Sequence, residues 1–434
     1  MKKNTLRVMA LLLILILALA PSLVMAEINP PEGDDPITYI AKAKSALKMR
    51  KDANTHAGGN GSIDKGSYVY IVMLGPEWSQ VRNERLSTGY VLTKYLEDIR
   101  SFDDETDTIG DPVSINELFQ MTIVVDDKKI EAKYVASTVG NALMYEEASD
   151  ESRVVDEIPI YKDLYVVSHD GEWALCTYKN RTGYIRVRKL FKWDRIDPYA
   201  GEIPGLDVCT KLAYTNKLTT IYSLETGEEL AEVNAGTAHS VIRIDEQGRY
   251  LVPYWREIGY INPEDIVTSV DVVPYDQAQP GDLISSFTTY FAVGITAPLY
   301  QGRNWNIHYA ASMINGTILQ PNEEYNMNKT IGRYIESTGY KKSPIMSPHA
   351  LWGYGGGTCQ TTTTFYNTNI QVPILVTHRR VHADVGIYYA KKGFDAAVGG
   401  GDINLTLVNT LPYAIRYQFH NSDGVLNCNI YREY

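Results

Sequence analysis

Cysteine is scarce in this chain. There are four in 434 residues, Cys176, Cys209, Cys359 and Cys428, too few for the disulfide framework that holds small exported domains together. Cys176 and Cys209 remain a candidate pair. A basic excess is also lacking: 41 Lys and Arg face 52 Asp and Glu, a formal net charge of −11, which argues against nucleic acid or an anionic membrane surface as a partner. No second long hydrophobic run follows the N-terminal one, so nothing beyond it reads as a membrane span. The acidic stretch SFDDETDTIGD (101–111) lacks calcium-loop spacing and a closing Glu, and reads as a solvated loop. Ser-x-x-Lys occurs at Ser45–Lys48 and Ser62–Lys65 without Ser-Asp-Asn or Lys-Thr-Gly, so these are chance matches to serine acyl-transfer motifs.

What is present begins with Lys2, Lys3 and Arg7, an apolar run from Val8 to Ala20, and Val24-Met25-Ala26 before Glu27. A basic segment, a short apolar segment and small residues at the cleavage positions read as a secretory signal peptide over 1–26. Its removal takes the net charge to −14. The expected product is a secreted chain of several domains, with no stable membrane insertion after cleavage.

An internal repeat follows. The segments EWSQVRNERLSTGYVLTKYL, EWALCTYKNRTGYIRVRKL and RYLVPYWREIGYINPEDI each run from an aromatic strand to a Gly-Tyr pair: Gly89-Tyr90, Gly183-Tyr184 and Gly259-Tyr260. Six residues after each Tyr stands Leu96, Leu190 or Ile266. Upstream runs such as GSYVYIVM and DLYVVSH alternate with period 2 and read as short strands. Small Gly-punctuated all-β units of this size suggest SH3-like barrels, and the three segments resemble the bacterial SH3 modules of secreted wall proteins. The boundaries expected are 36–100, 131–192 and 207–270. The resemblance implies noncovalent targeting to the cell wall.

Beyond the linker VVPYDQAQPGDLIS the composition shifts, and residues 285–434 hold five of the eight histidines. Within them stands GYGGGTCQTTTTFYN (353–367). Phe365, Tyr366 and Ile370 are spaced for a short helix starting near Cys359, though β-branched threonines oppose it. A thiol at a helix start faces unpaired N–H groups and the positive end of the dipole, which favour thiolate. The same donors, with the glycine backbone, could hold a developing oxyanion. A thiolate nucleophile needs a base, and His308, His349, His378, His382 and His420 are the candidates. Asp384, Asp395 and Asp402 could each orient an imidazole. His378, His382 and Asp384 are also ligand-like types, but on a strand residues four apart stand about 13 Å apart, so no metal is expected.

The motifs then reach a family. YNMNKTIGRYIESTGY (325–340), GYGGGTCQTTTTFYN, THRRVHADVGIYY (377–389) and KGFDAAV with GDINLTLVN resemble the VanW domain. Arg303 and Asn306, then Tyr325, Asn328 and Gly332, match its early motifs. Gly355, Gly356, Gly357, Cys359 and Gln360 match its core, followed by Arg379, His382, Gly393, Asp395, Ala396 and Asp402. His378 and Ala383 depart from it, where the family has Glu and Ser. The resemblance implies a mixed α+β domain acting as a cysteine L,D-transpeptidase on peptidoglycan stem peptides, with no cofactor. In it Cys359 would be the nucleophile, His382 base then acid, and Asp395 (or Asp384 or Asp402) the orienting acid. Gly356, Gly357 and Gln360 would line the oxyanion or substrate site, and Arg379 and Arg380 would hold a stem carboxylate. Without turnover, the same domain would be a wall-binding module, and with water as acceptor a stem-trimming peptidase. The whole chain is thus expected to be multidomain: about three all-β SH3-like barrels followed by the VanW-like domain.

Overall fold

The computed structural model describes residues 39–53, 57–74, 78–83, 87–103, 108–112, 122–125, 128–179, 181–294, 297–345, 350–382, 387–422 and 424–434. The signal-peptide expectation, at 1–26, lies outside them, as do His349 and Asp384. No helix among the described residues is long and apolar enough to cross a membrane. The chain is mostly β, in several sheets, with few helices.

Period-2 alternation builds the first repeat as strands Tyr39–Ala43, Leu47–Arg50, Gly59–Ile63, Tyr68–Met73, Trp78–Arg82, Thr88–Leu92 and Leu96–Asp103. Lettered a to g in that sequence, they lie in the order c-b-f-e-d-a-g, with Thr108–Pro112 added outside g in an 8-stranded sheet. The second repeat, from Tyr134–Thr138 to Leu190–Arg195, repeats the order in a 7-stranded sheet. The third, from Lys211–Thr215 to Ile266–Asp271, keeps the order in two pieces. Strand d breaks at Ile242, between Ala238–Val241 and Arg243–Ile244, so c-b-f-e and d-a-g become separate sheets. The sequence repeat is therefore a repeat of topology.

The Gly-Tyr pairs mark where strand f crosses strand b. A single bridge joins them in the first two repeats, Arg50 opposite Tyr90 and Tyr145 opposite Tyr184. A Cβ on Gly183 would lie 2.5 Å from Met144 Cγ and 2.6 Å from the Tyr145 carbonyl oxygen, so only glycine admits the crossing. Among the described residues the hydrogen-bonded strand orders are open, so the closed barrels expected from the sequence are not seen there. In the second repeat the hydrogen-bonded order ends on strands c and g, and no described pairing joins them.

The first repeat belongs to one compact unit, and residues 132–178 with 182–434 form the other. In the second unit the repeats are not separate beads. Tyr134, Met144, Val166 and Trp193 of the second repeat belong to one hydrophobic cluster with Phe365, Phe394 and Tyr417. Ala213, Ile221 and Val252 of the third form another with Tyr290 and Val425. Each such large apolar side chain contributes about 1.5–3 kcal/mol by leaving water, so both repeats are bound to the C-terminal domain by shared core.

That domain has a 4-stranded sheet in the order Leu283–Tyr290, Val425–Arg432, Ile415–Ser422, Ile318–Leu319, and a 3-stranded sheet in the order Glu324–Asn326, Leu405–Asn409, Ile374–Arg379. Its helices are α1 (Pro298–Ile314), α2 (Met327–Ile331) and α3 (Thr358–Asn369). Proline at its first turn starts α1, and Ile307, Ala310, Ala311 and Ile314 give it a buried stripe at helical spacing. All four cysteines are free thiols, so the candidate Cys176–Cys209 pair is not made.

Gly183→Ala is expected to destabilise the protein by about 1–3 kcal/mol through overpacking. Gly140→Ala, in the same repeat and with nothing within 4 Å of the added Cβ, should stay within about 0.5 kcal/mol of wild type. Urea unfolding midpoints of the two variants check this.

Candidate thiol–imidazole site

Four threonines in a row make a poor helix in water, yet α3 forms because it is central and its hydroxyls are all used. Thr362 and Thr364 donate back to the Thr358 and Gln360 carbonyls at 3.0 and 2.9 Å. Thr361 donates to the Ile307 carbonyl and Thr363 to that of Ala396, at 3.1 and 3.2 Å. Satisfied hydroxyls let a β-branched polar run behave as core.

The glycines before it have distinct duties. Gly357 is the N-cap, with φ 108° in the left-handed region. A Cβ on Gly356 would come within 2.0 Å of the Pro344 carbonyl oxygen. The Gly356 carbonyl itself accepts from Asn306 Nδ2 at 3.0 Å and from Ser343 Oγ at 3.1 Å. The turn is thus pinned to α1, and it places Cys359 in the first turn of α3.

Cys359 is half-buried, while Cys176, Cys209 and Cys428 are fully buried. Burial pushes the thiols of those three well up. The Cys359 sulfur lies 3.5 Å from both the amide N and the carbonyl O of Val398. His382 follows the strand Ile374–Arg379, and its Nδ1 is 2.7 Å from Asp395 Oδ2, the same oxygen that accepts from the His382 backbone N–H at 2.7 Å. Burial opposes charge on His382, but hydrogen bonds to Asp395 and to the Cys359 thiol, with the attraction of both groups, outweigh it and raise the imidazole to about 10. Asp395 is buried, which by itself would raise its carboxyl, yet its bonds to His382 and the nearby Arg379 hold it below the usual range.

Of the two candidate acids among the described residues, Asp395 and Asp402, Asp395 is the one placed on His382. Asp402 meets the other histidine instead: its carbonyl lies 2.8 Å from His378 Nε2. His420 is elsewhere, beside Tyr214.

Two expected substrate residues are otherwise engaged. Gln360 is fully buried. Its Nε2 donates to Thr289 Oγ1 at 3.1 Å and the Tyr290 carbonyl at 2.9 Å, while its Oε1 accepts from Arg303 Nη2 at 2.7 Å. It ties α3 to α1 and the strand Leu283–Tyr290 and lines no open site. Arg379 is likewise buried, its guanidinium closed around Asp194 and the Gly393 and Asp395 carbonyls. Arg380 is half-buried, and its carbonyl accepts from Ala397 N–H at 2.7 Å. Val398 and Tyr389 escaped the sequence reading. The Tyr389 hydroxyl is pushed well up by burial and then by the neighbouring Cys359. No chemical signature marks an apolar residue or one tyrosine among 32.

Residues 302–431 match the family model described as VanW like protein. The relative "Uncharacterized protein YoaR" of Bacillus subtilis (strain 168) is 29% identical over 146 residues, 33% of this chain and 46% of that protein. The match thus spans under half of the relative's length. Among solved structures, NlpC2 from Trichomonas vaginalis aligns over 55% of this chain and 94% of its own, at 10% identity and a TM-score of 0.15. An NlpC/P60 family protein from Bacillus cereus ATCC 10987 aligns over 69% and 99%, at 11% identity and a TM-score of 0.14. Those scores are too low to describe a shared fold.

Iodoacetamide under native conditions is expected to label one thiol, Cys359, and all four after denaturation, counted by intact mass. A histidine raised by folding stabilises the native state fully below its unfolded value of about 6.5 and loses that contribution as pH rises through about 10. The wild-type urea midpoint should therefore fall across this window, more steeply than in His382→Gln.

Proposed function

We propose, for a chain whose residues 302–431 carry a VanW-family domain, that this domain is a cysteine acyltransferase acting on the stem peptides of peptidoglycan, with L,D-transpeptidation as its reaction. One observation carries the reading: an accessible thiol at the amide end of α3, hydrogen-bonded to an imidazole that a buried carboxylate holds in place. A cationic His382 supplies the counter-charge that a thiolate nucleophile needs.

In this reaction the Cys359 sulfur attacks the L-to-D peptide carbonyl of a tetrapeptide stem. The oxyanion forms against the amide end of α3. The C–N bond then breaks, His382 gives its proton to the leaving amine of the terminal D-residue, and a thioester remains on Cys359. Neutral His382 next takes a proton from the amine of a neighbouring stem, which attacks the thioester and restores the thiolate, leaving a 3→3 cross-link. Asp395 keeps the imidazole turned toward the sulfur throughout. With Arg379 buried, Arg380 is the cation we assign to a stem carboxylate. The SH3-like wall-targeting role we assign to the first repeat, because the second and third share their cores with the C-terminal domain.

The test is incubation with disaccharide-tetrapeptides followed by intact-protein mass spectrometry. A thioester adduct on Cys359 that vanishes in Cys359→Ala is expected, with cross-linked dimers among the products and a rate at least about 100-fold lower in His382→Gln. Trimmed monomers in place of dimers would make water the acceptor and the protein a hydrolase. Binding with no adduct would reduce the domain to a wall-binding module.

A further inference from the structure

We infer that Asp194, on the last strand of the second repeat, is a positioning residue for the thiol–imidazole site, setting Asp395 and through it His382 by way of Arg379. The inference rests on the reading of the site given above.

The chain of bonds is short. Asp194 Oδ2 accepts from Arg379 Nη2 at 2.8 Å and Nε at 3.2 Å, and its Oδ1 accepts from the Tyr366 hydroxyl at 3.0 Å. On its other edge Arg379 Nη1 donates to the Gly393 carbonyl at 2.8 Å and the Asp395 carbonyl at 3.0 Å. The Arg379 guanidinium also lies over the Tyr366 ring, 4.4 Å from its centre. One planar cation thus joins the second repeat, α3 and the backbone of the residue that orients His382. The fork geometry of arginine suits this bridging and the ammonium of lysine would not.

A second observation is independent of these bonds. Gly393 has φ +88° and its missing Cβ would lie 2.7 Å from the backbone N of Lys192. The Phe394 ring lies against Gly205, 3.6 Å from where a Cβ would stand. The segment that carries Asp395 is therefore laid directly on the strand Leu190–Arg195 and the turn beyond it. The second repeat is the bed of the acid.

Charge makes the role testable. The Arg379 side chain is 2% exposed and that of Asp194 25%, so the cation has little water to screen it. Without the Asp194 carboxylate, its field falls on Asp395 and His382. The other titratable groups facing His382 and Asp395 are Cys359, Tyr389 and Tyr366, and none of them replaces the lost negative charge on the far side of Arg379. The imidazolium is then disfavoured.

The experiment is an NMR titration of the His382 Cε1–H resonance in the full-length chain, identified by its loss in His382→Gln. Asp194→Asn is expected to lower the titration midpoint by about one unit, Asp194→Glu to return most of it, and Tyr366→Phe to leave it unchanged. Asp194→Asn paired with Arg379→Met removes the partly exposed carboxylate together with the buried guanidinium, leaving no uncompensated cation, and is expected to lower the midpoint through the lost brace on Asp395. A purely structural Asp194 would lose stability with the midpoint unmoved, and an unshifted midpoint in either folded variant overturns the inference. The readout needs no turnover: a shifted midpoint in a protein that makes no thioester upholds the positioning role while sinking the acyltransferase, and turnover with an unshifted midpoint does the reverse.

Discussion

A buried carboxylate is tolerable only when it is held by hydrogen bonds and an opposite charge, and Asp395 is such a group. One oxygen takes both the backbone N–H and the ring N–H of His382, and the backbone on either side of its residue is braced by Arg379. Everything chemical about the site follows from that placement. It takes up the Nδ1 side of the ring, favours the charged imidazole, and separates Asp395 from Asp402, which meets His378 instead.

The structure reaches this placement by spreading the work over distant parts of the chain. Asp194 and Arg379 are 185 residues apart, and Gln360 lies 70 residues from the Tyr290 carbonyl it holds. The first of these joins the second repeat to the C-terminal domain and the second lies within that domain, so the site draws on both parts of the unit. This explains why the second and third repeats lie beside the domain that holds the thiol–imidazole pair: their cores continue into it. It also explains the hydrophilic core helix. Threonine hydroxyls in α3 bond both to their own helix and to neighbours, which anchors the helix that carries Cys359 with hydrogen bonds as well as packing.

Two residues look like ligand binders and serve as rivets. Gln360 and Arg379 carry the motif's most recognisable polar groups, yet both are saturated with internal partners. A motif records that a residue type is required and leaves open whether it faces a substrate or another strand. Asn306 makes the same point, its amide tying α1 to the Lys341 and Gly356 carbonyls.

Local chemistry was legible in the amino-acid sequence itself. Period-2 runs marked the strands, Gly-Tyr pairs marked a threefold repeat, and glycines ahead of a single cysteine marked a thiol at a helix start, because each depends on residues adjacent along the chain. The partnering of His382 with Asp395, the burial of Arg379, the open ladders where closed barrels were expected and the joining of two repeats to the C-terminal domain were decided only by tertiary structure. Those depend on which surfaces meet when water is expelled between segments far apart in sequence, and no spacing rule encodes that meeting.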